Sequence, residues 1–324
     1  MLIRPPRSVL FLLLGLTLAT WLPAKSVQAQ SPVVLRIASA ADDDVTPVLW
    51  ADKAGLFRAA GIEIAVQRAN NGAAVAAAVT GGAVEIGKSS LLSIVLGHVR
   101  GLPLTIVAPG GLHTPKSEDS GILVLRDSAI RTASDLDGKI VSVAALNDFQ
   151  WLAMHAWIDL HGGNSKSVAF IEQPGASVAP ALDSGRIAAG LAINPQLRVA
   201  LVTGKYRDLG QQVDAIARRL MFSGWFASAD FVAKNPDVIR KFGEVMNRAT
   251  AYAGAHHEET VPLLAAFTGI EPATIRSMPR ANYAPALDPA LVQPLIEVAA
   301  KYGSIPASFD ARDLFSPYAF RAAR

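Results

Sequence analysis

The residues best suited to chemistry stand at the ends of short apolar runs. Ser39-Ala40-Ala41-Asp42-Asp43-Asp44 follows the first such run, and Lys88-Ser89-Ser90 opens an apolar helical stretch. Further along come Asn147-Asp148-Phe149-Gln150-Trp151, Gln173-Pro174 and Asn194-Pro195-Gln196. Hydroxyls, amides, carboxylates and one ammonium can hold a polar solute by hydrogen bonds, and a helix start at Ser89 or Ser90 suits an anion or a carbonyl oxygen. Each group also has a plainer use. Asp42 to Asp44 can serve the helix start at Thr46-Pro47, where acids gain about 0.3 to 1 kcal/mol each from the helix dipole. Ser89 or Ser90 can be an N-cap, and Phe149 and Trp151 can be core.

Groups that break bonds do not assemble in the same way. The sequence has no phosphate-cradling loop ending in Gly-Lys-Ser/Thr, no Gly-x-Gly-x-x-Gly and no Gly-x-Ser-x-Gly. Gly81-Gly82 and Gly110-Gly111 are isolated pairs, read as a helix stop and a loop. The six histidines, His98, His113, His155, His161, His256 and His257, never fall at the i, i+4 spacing that puts two metal ligands on one helix face. His256-His257-Glu258-Glu259 is read as a solvated patch, because neighbouring helix residues point in different directions. The absence of cysteine excludes disulfides, thiolate zinc and iron-sulfur clusters. No cofactor and no metal are expected.

The elements that position these loops alternate. Strands are predicted at Val33 to Ala38, Ile62 to Gln67, Val84 to Gly87 and Leu104 to Ala108, with helices at Pro47 to Ala60, 73 to 80 and Ser90 to Arg100. After the Gly-, Pro- and charge-rich connector 109–121, strands recur at Ile122 to Leu125, Lys139 to Val143, Val168 to Ile171 and Ile187 to Ile193. A capped turn at Ser134 to Gly138 and helices at Asp148 to His161 and Ala176 to Ser184 lie between them. This rhythm predicts two α/β units, each with a parallel sheet covered by helices. From Asn235 onward four helical stretches follow, Pro236 to Ala255, Glu258 to Thr268, Pro272 to Ser277 and Pro289 to Tyr302, and must pack on one or both units.

The amino end reads differently. Arg4 and Arg7 precede a 14-residue apolar run, Val9 to Leu22, which Pro23 ends before Val27-Gln28-Ala29. That is the layout of a secretory signal cut after Ala29, and the run is short of the roughly 20 residues a membrane-spanning helix needs. The chain holds 30 Lys and Arg against 27 Asp and Glu, and residues 1–29 carry three of the bases and none of the acids. The remainder is balanced, so no whole-protein field favours nucleic acid or anionic lipid. Without a cysteine after the signal there is no lipid anchor. An exported, periplasmic, monomeric chain without membrane insertion is expected, large enough to bury roughly 75% of its unfolded surface.

Several stretches, taken in order, resemble a known family: WADKAGLFRAAGIEIAV, AAVTGGAVEIGKSS, ASDLDGKIVSVA, ALDSGRIAAGLAINP and NPDVIRKFGEVMNRATAYA. Together they resemble the periplasmic solute-binding proteins of the nitrate, sulfonate and taurine ABC importer family, which includes thiamine-pyrimidine binders. The likeness runs from about residue 35 to 315. It implies a type II periplasmic binding protein, with lobe 1 from 30–120 plus 228–324, lobe 2 from 121–227, and crossing strands near Gly121 to Arg126 and Leu220 to Ala227. It further implies permease and ATPase partners and a small ligand enclosed by lobe closure.

Carried over by position, the ligand-facing residues are Ser39, Asp42, Asp43, Lys88, Ser89, Ser90, Gly111, His113, Asn147, Phe149, Trp151 and Asn194, with Trp225 as a wall. The three carboxylates at 42–44 depart from the anion binders. Either they face solvent, or the ligand carries an amine or other donor, as an aminosulfonate or aminopyrimidine does; an aromatic carboxylate is a further alternative. The rivals from other classes are a sensor subunit for a membrane kinase and a pyrimidine synthase-like enzyme. Relatives of the latter kind use a cysteine-rich segment that this chain lacks.

Overall fold

The computed structural model describes residues 32–194 and 196–320. The expected export signal lies outside the described residues, as does Pro195. Twelve strands form among the described residues: β1 Val33–Ser39, β2 Ile62–Arg68, β3 Ile86–Ser90, β4 Leu104–Pro109, β5 Leu112–His113, β6 Ser120–Leu125, β7 Ile140–Val143, β8 Ala169–Glu172, β9 Ala189–Ile193, β10 Tyr206–Asp208, β11 Leu220–Met221 and β12 Ser223–Ser228. They build two five-stranded sheets, ordered β2-β1-β3-β12-β4 and β10-β6-β9-β7-β8, and a two-stranded ribbon of β11 with β5.

Neither sheet is purely parallel, which corrects the sequence expectation. β12 runs antiparallel between β3 and β4, and β6 runs antiparallel to β9 and β10. Both are the strands that the chain lays down directly after crossing from the other sheet, without a helix to turn it around. The crossing itself is made by β5 and β11, where Leu220 pairs with His113 and Met221 with Leu112. The predicted crossing strand 121–126 belongs instead to the second sheet, as β6.

Two local corrections bear on the site. The helix expected over 47–60 is two, Thr46–Lys53 and Leu56–Ala59, because Gly55 between them adopts φ +73, a left-handed conformation that ends a helix. The third strand starts later than expected and runs on through Lys88, Ser89 and Ser90. It does so because both its edges are paired at that point, Lys88 standing opposite Ser39 of β1 and Trp225 of β12. Lys88 therefore sits in the middle of a sheet rather than on a turn.

Burial divides along the sheet faces. On one face of the first sheet, Leu35, Ile37, Ile86 and Trp225 pack against helices Thr46–Lys53 and Pro236–Ala255. On the other, Val75, Leu91 and Ile106 join Phe149, Leu152 and Ala153 of helix Phe149–Leu160 and Leu295 and Ile296 of helix Gln293–Lys301. This second cluster brings together residues of both units and of the C-terminal helices. Each aliphatic side chain removed from water there contributes about 1.5 to 3 kcal/mol.

Candidate functional site

Lys88 is 1% exposed, and its ammonium is held by the carboxylates of Asp42 and Asp44. Strand β3 carries Lys88 up from the core, and the short helical turn Asp43–Val45 after β1 brings the two acids over it. Asp44 is likewise buried and also accepts a hydrogen bond from the Ser223 hydroxyl, whose oxygen accepts the Gly111 amide at 2.7 Å. Burial works against both charges, but the pairing outweighs it. Lys88 is held above the ordinary lysine value and Asp44 below the ordinary carboxylate value. Asp42 is the third member, and its position differs. Its side chain keeps 53% of its surface open, yet the surrounding protein and then the Asp44 charge push its carboxyl up to about 7, against the pull of Lys88.

Asp43 turns the other way. It takes three hydrogen bonds from the Arg280 guanidinium, at 2.7, 2.9 and 3.0 Å, and one from the Ala281 amide at 2.7 Å, and it accepts one from the Thr46 hydroxyl. Three consecutive acids thus have three destinations: a half-open carboxylate, a clamp on the C-terminal segment and a buried counter-ion.

The second sheet meets this region through amides. Gln212, fully buried, donates to Ser120 Oγ at 2.9 Å and to Gln150 Oε1 at 2.6 Å, while its own Oε1 has no partner. His113 is 1% exposed, with Nε2 2.8 Å from Asp214 Oδ1 and Nδ1 unpartnered. Asp119 Oδ1 is also buried without a partner. Burial raises the Asp119 carboxyl, with the His113 charge opposing and the Asp44 charge adding to the shift. Among the described residues no group of three or more His, Asp or Glu side chains is placed to hold a metal ion. The acids and histidines of the 256–259 stretch diverge, His256 onto the Tyr252 ring and Glu258 onto Arg276.

The residues named from the sequence are unequal. Ser39 is fully buried and donates to the Ala40 carbonyl at 2.8 Å. Ser89 is 4% exposed with its hydroxyl unpartnered, whereas Ser90 caps helix Leu91–Val99 through the Ser93 amide. Gly111 is packed so closely that a Cβ would lie 2.3 Å from the Phe222 ring. Phe149 is buried and stacks on Phe222 at 6.3 Å. Trp151 is half-buried, edge-on to His155 at 4.2 Å. Asn147 is exposed in a left-handed conformation, φ 60, just ahead of the Asp148 N-cap. Asn194 donates to the Glu118 carbonyl at 2.8 Å, tying β9 to the crossing segment. Trp225, expected as a wall, lies in the core. It is fully buried against Phe242, so in this conformation it presents no face to a solute. Asp119, Gln212, Ser223 and Arg280 are not among the ligand residues expected from the sequence, whereas Asp44 belongs to the expected carboxylate run. For Asp44 its place in the run was a signal; for Gln212 and Arg280 there was none.

A family model described as NMT1/THI5 like matches residues 42–260, most of the chain. The chain belongs to the NMT1/THI5-like family. Within it, the chain is 25% identical over 215 residues to the 4-amino-5-hydroxymethyl-2-methylpyrimidine phosphate synthase of Schizosaccharomyces pombe, a match covering 63% of this chain and 60% of that one. The match thus spans about three-fifths of the synthase. Among solved structures, the periplasmic aliphatic sulphonate binding protein SsuA from Escherichia coli superposes with a TM-score of 0.74 at 19% identity, over 91% of this chain and 95% of that one. The periplasmic nitrate-binding protein NrtA from Synechocystis PCC 6803 gives 0.69 at 12% identity, over 89% and 87%. This NMT1/THI5-like chain therefore has the periplasmic binding protein fold.

Proposed function

We propose that this chain is the solute-binding subunit of an ABC importer. It is exported to the periplasm and captures a small polar organic solute between two lobes, 30–120 with 228–324 and 121–227. The observation that carries this reading is the meeting of polar groups from both units around the crossing ribbon. Asp42, Lys88 and Ser223 come from the first sheet's end, Asp119 from the crossing segment just ahead of β6, and Gln150 and Gln212 from the second unit. Such a site binds and lets go, which is what delivery to a permease requires. Phe149 and Phe222 supply an apolar side to the same region.

A thermal-shift screen of the purified protein against sulfonates, taurine, nitrate, aromatic carboxylates and aminopyrimidines tests the reading, since a bound solute raises the melting temperature by mass action. Saturable stabilisation by one class without its consumption is expected. Turnover of a pyrimidine precursor, with no stabilisation by any solute, would replace the binding subunit with an enzyme. Co-purification with a permease and ATPase, rather than with a membrane kinase, is the expected outcome for partners.

A further inference from the structure

Three arginines gather at the outer end of the second sheet. β6 leaves the crossing segment at Ser120 and ends at Leu125, with Arg126 next, so about 20 Å of extended chain separates Arg126 from Ser120. Arg207 lies on β10, the edge strand paired with β6, and Arg131 on the segment that follows β6. Their guanidiniums converge. Arg207 Nη2 and Arg131 Nη1 both donate to the Ile130 carbonyl, and Arg207 Nε donates to the Arg126 carbonyl at 3.3 Å. Arg126 in turn donates to the Gly204 and Tyr206 carbonyls. Two guanidinium nitrogens on one oxygen place two like charges side by side.

Main-chain carbonyls hold these groups without cancelling their charge. Among the described residues none of the three arginines forms a salt bridge. Asp135 beside them spends its Oδ2 on the Arg131 and Thr132 amides and the Thr132 hydroxyl. Burial and then the Arg131 and Arg126 charges disfavour the charged form of Arg207. Donors are also left over: Nη1 of Arg126, Nη1 of Arg207, and Nε and Nη2 of Arg131 have no acceptor among the described residues. Convergent guanidinium donors without a carboxylate match the oxygens of a phosphate group, which accepts paired N–H bonds and offsets the repulsion. We infer that this edge of the second sheet binds a phosphate group through Arg126, Arg131 and Arg207, at a site separate from the one around the crossing ribbon and independent of the solute-binding reading.

Calorimetry and thermal shift on the purified chain compare inorganic phosphate with chloride at equal ionic strength, then glycerol 3-phosphate; co-sedimentation compares vesicles of phosphatidylglycerol with vesicles of phosphatidylcholine. Phosphate is expected to raise the melting temperature where chloride does not, and Arg131→Gln to weaken phosphate binding by about tenfold or more. Arg131 is exposed, and without phosphate the variant is expected to be at least as stable as wild type, because a like charge is gone. Arg126→Gln, also at an exposed position, is expected to lose less affinity. Vesicle binding that Arg131→Gln abolishes supports the site with a lipid headgroup as its source; binding of phosphate or glycerol 3-phosphate without vesicle binding supports it with a soluble source. Equal responses to phosphate and chloride, with no binding to either vesicle, overturn the inference. A phosphate response that both variants retain in full overturns it as well, and loss of stability in Arg131→Gln alongside that response marks the arginines as braces for the 126–131 turn.

Discussion

The two ends that meet at the crossing ribbon hold their polar groups in opposite ways. On the first sheet, Lys88, Asp44 and Ser223 are buried and fully engaged with one another, and Asp43 is clamped by Arg280. Across the crossing segment, Gln212 is buried with its Oε1 to spare and half-buried Asp119 has a buried, unpartnered Oδ1. Charge that is satisfied internally fixes the backbone and changes little when a solute arrives. Acceptors that are not satisfied are where a solute gains. The first end is therefore a scaffold whose charges are answered, with Asp42 open and the Ser89 hydroxyl unpartnered, and the second carries unmet amide and carboxylate acceptors.

The largest expected effect lies in the scaffold. Lys88→Met leaves Asp44 buried without a counter-ion and is expected to cost about 3 to 5 kcal/mol, measured by urea unfolding at pH 7. A loss below about 1 kcal/mol would mean that the acids relax into water and that the end is not closed. Arg280→Met removes the guanidinium from Asp43, and with side-chain exposures of 5% and 15% for the pair the expected cost is somewhat smaller, about 3 kcal/mol. Gly111→Ala tests the junction between the ends. Its Cβ would overlap the Phe222 ring, which stacks on Phe149, so about 1 to 3 kcal/mol of stability and part of the solute affinity are expected to go together. If affinity is lost alone, Phe222 acts on the solute and not on the packing.

The contrast was only half legible in the sequence. Strand and helix rhythm located most of the elements because each is amphipathic or apolar over its own length, as in Pro236–Ala255, found where expected. The Asp42 to Asp44 run and Lys88 were visible as charges in loops, but not which acid meets which base. Asp43 meets Arg280 across 237 positions, and Gln212 meets Gln150 across 62, distances at which no local pattern speaks. The antiparallel strands β6 and β12 were also hidden, since an apolar run gives no direction and only the crossing ribbon sets it. The burial of Trp225 was hidden for a related reason. A large aromatic on a strand looks the same from the sequence whether it faces the core or a cleft.

The smallest effect discriminates between the ends most directly, because it follows one proton. The Asp42 carboxyl, at about 7 in the folded protein against an ordinary value of 3.8, binds its proton more tightly when folded. The folded state therefore holds more protons than the unfolded one between roughly pH 4 and 7, and stability from this group falls as pH rises through that window. Asp44, held low, has the opposite sign: its contribution is present above the ordinary value and disappears as pH falls. Comparing wild type with Asp42→Asn isolates the first group. The variant is expected to gain stability relative to wild type between pH 5 and pH 8, by a few degrees in melting temperature or less, because solvent reaches half of the Asp42 side chain. A difference that stays flat across that range would mean that Asp42 is already ionised at pH 5, held by Lys88 as firmly as Asp44 is. In that case the first end is closed throughout, and the solute must be recognised by the second end alone.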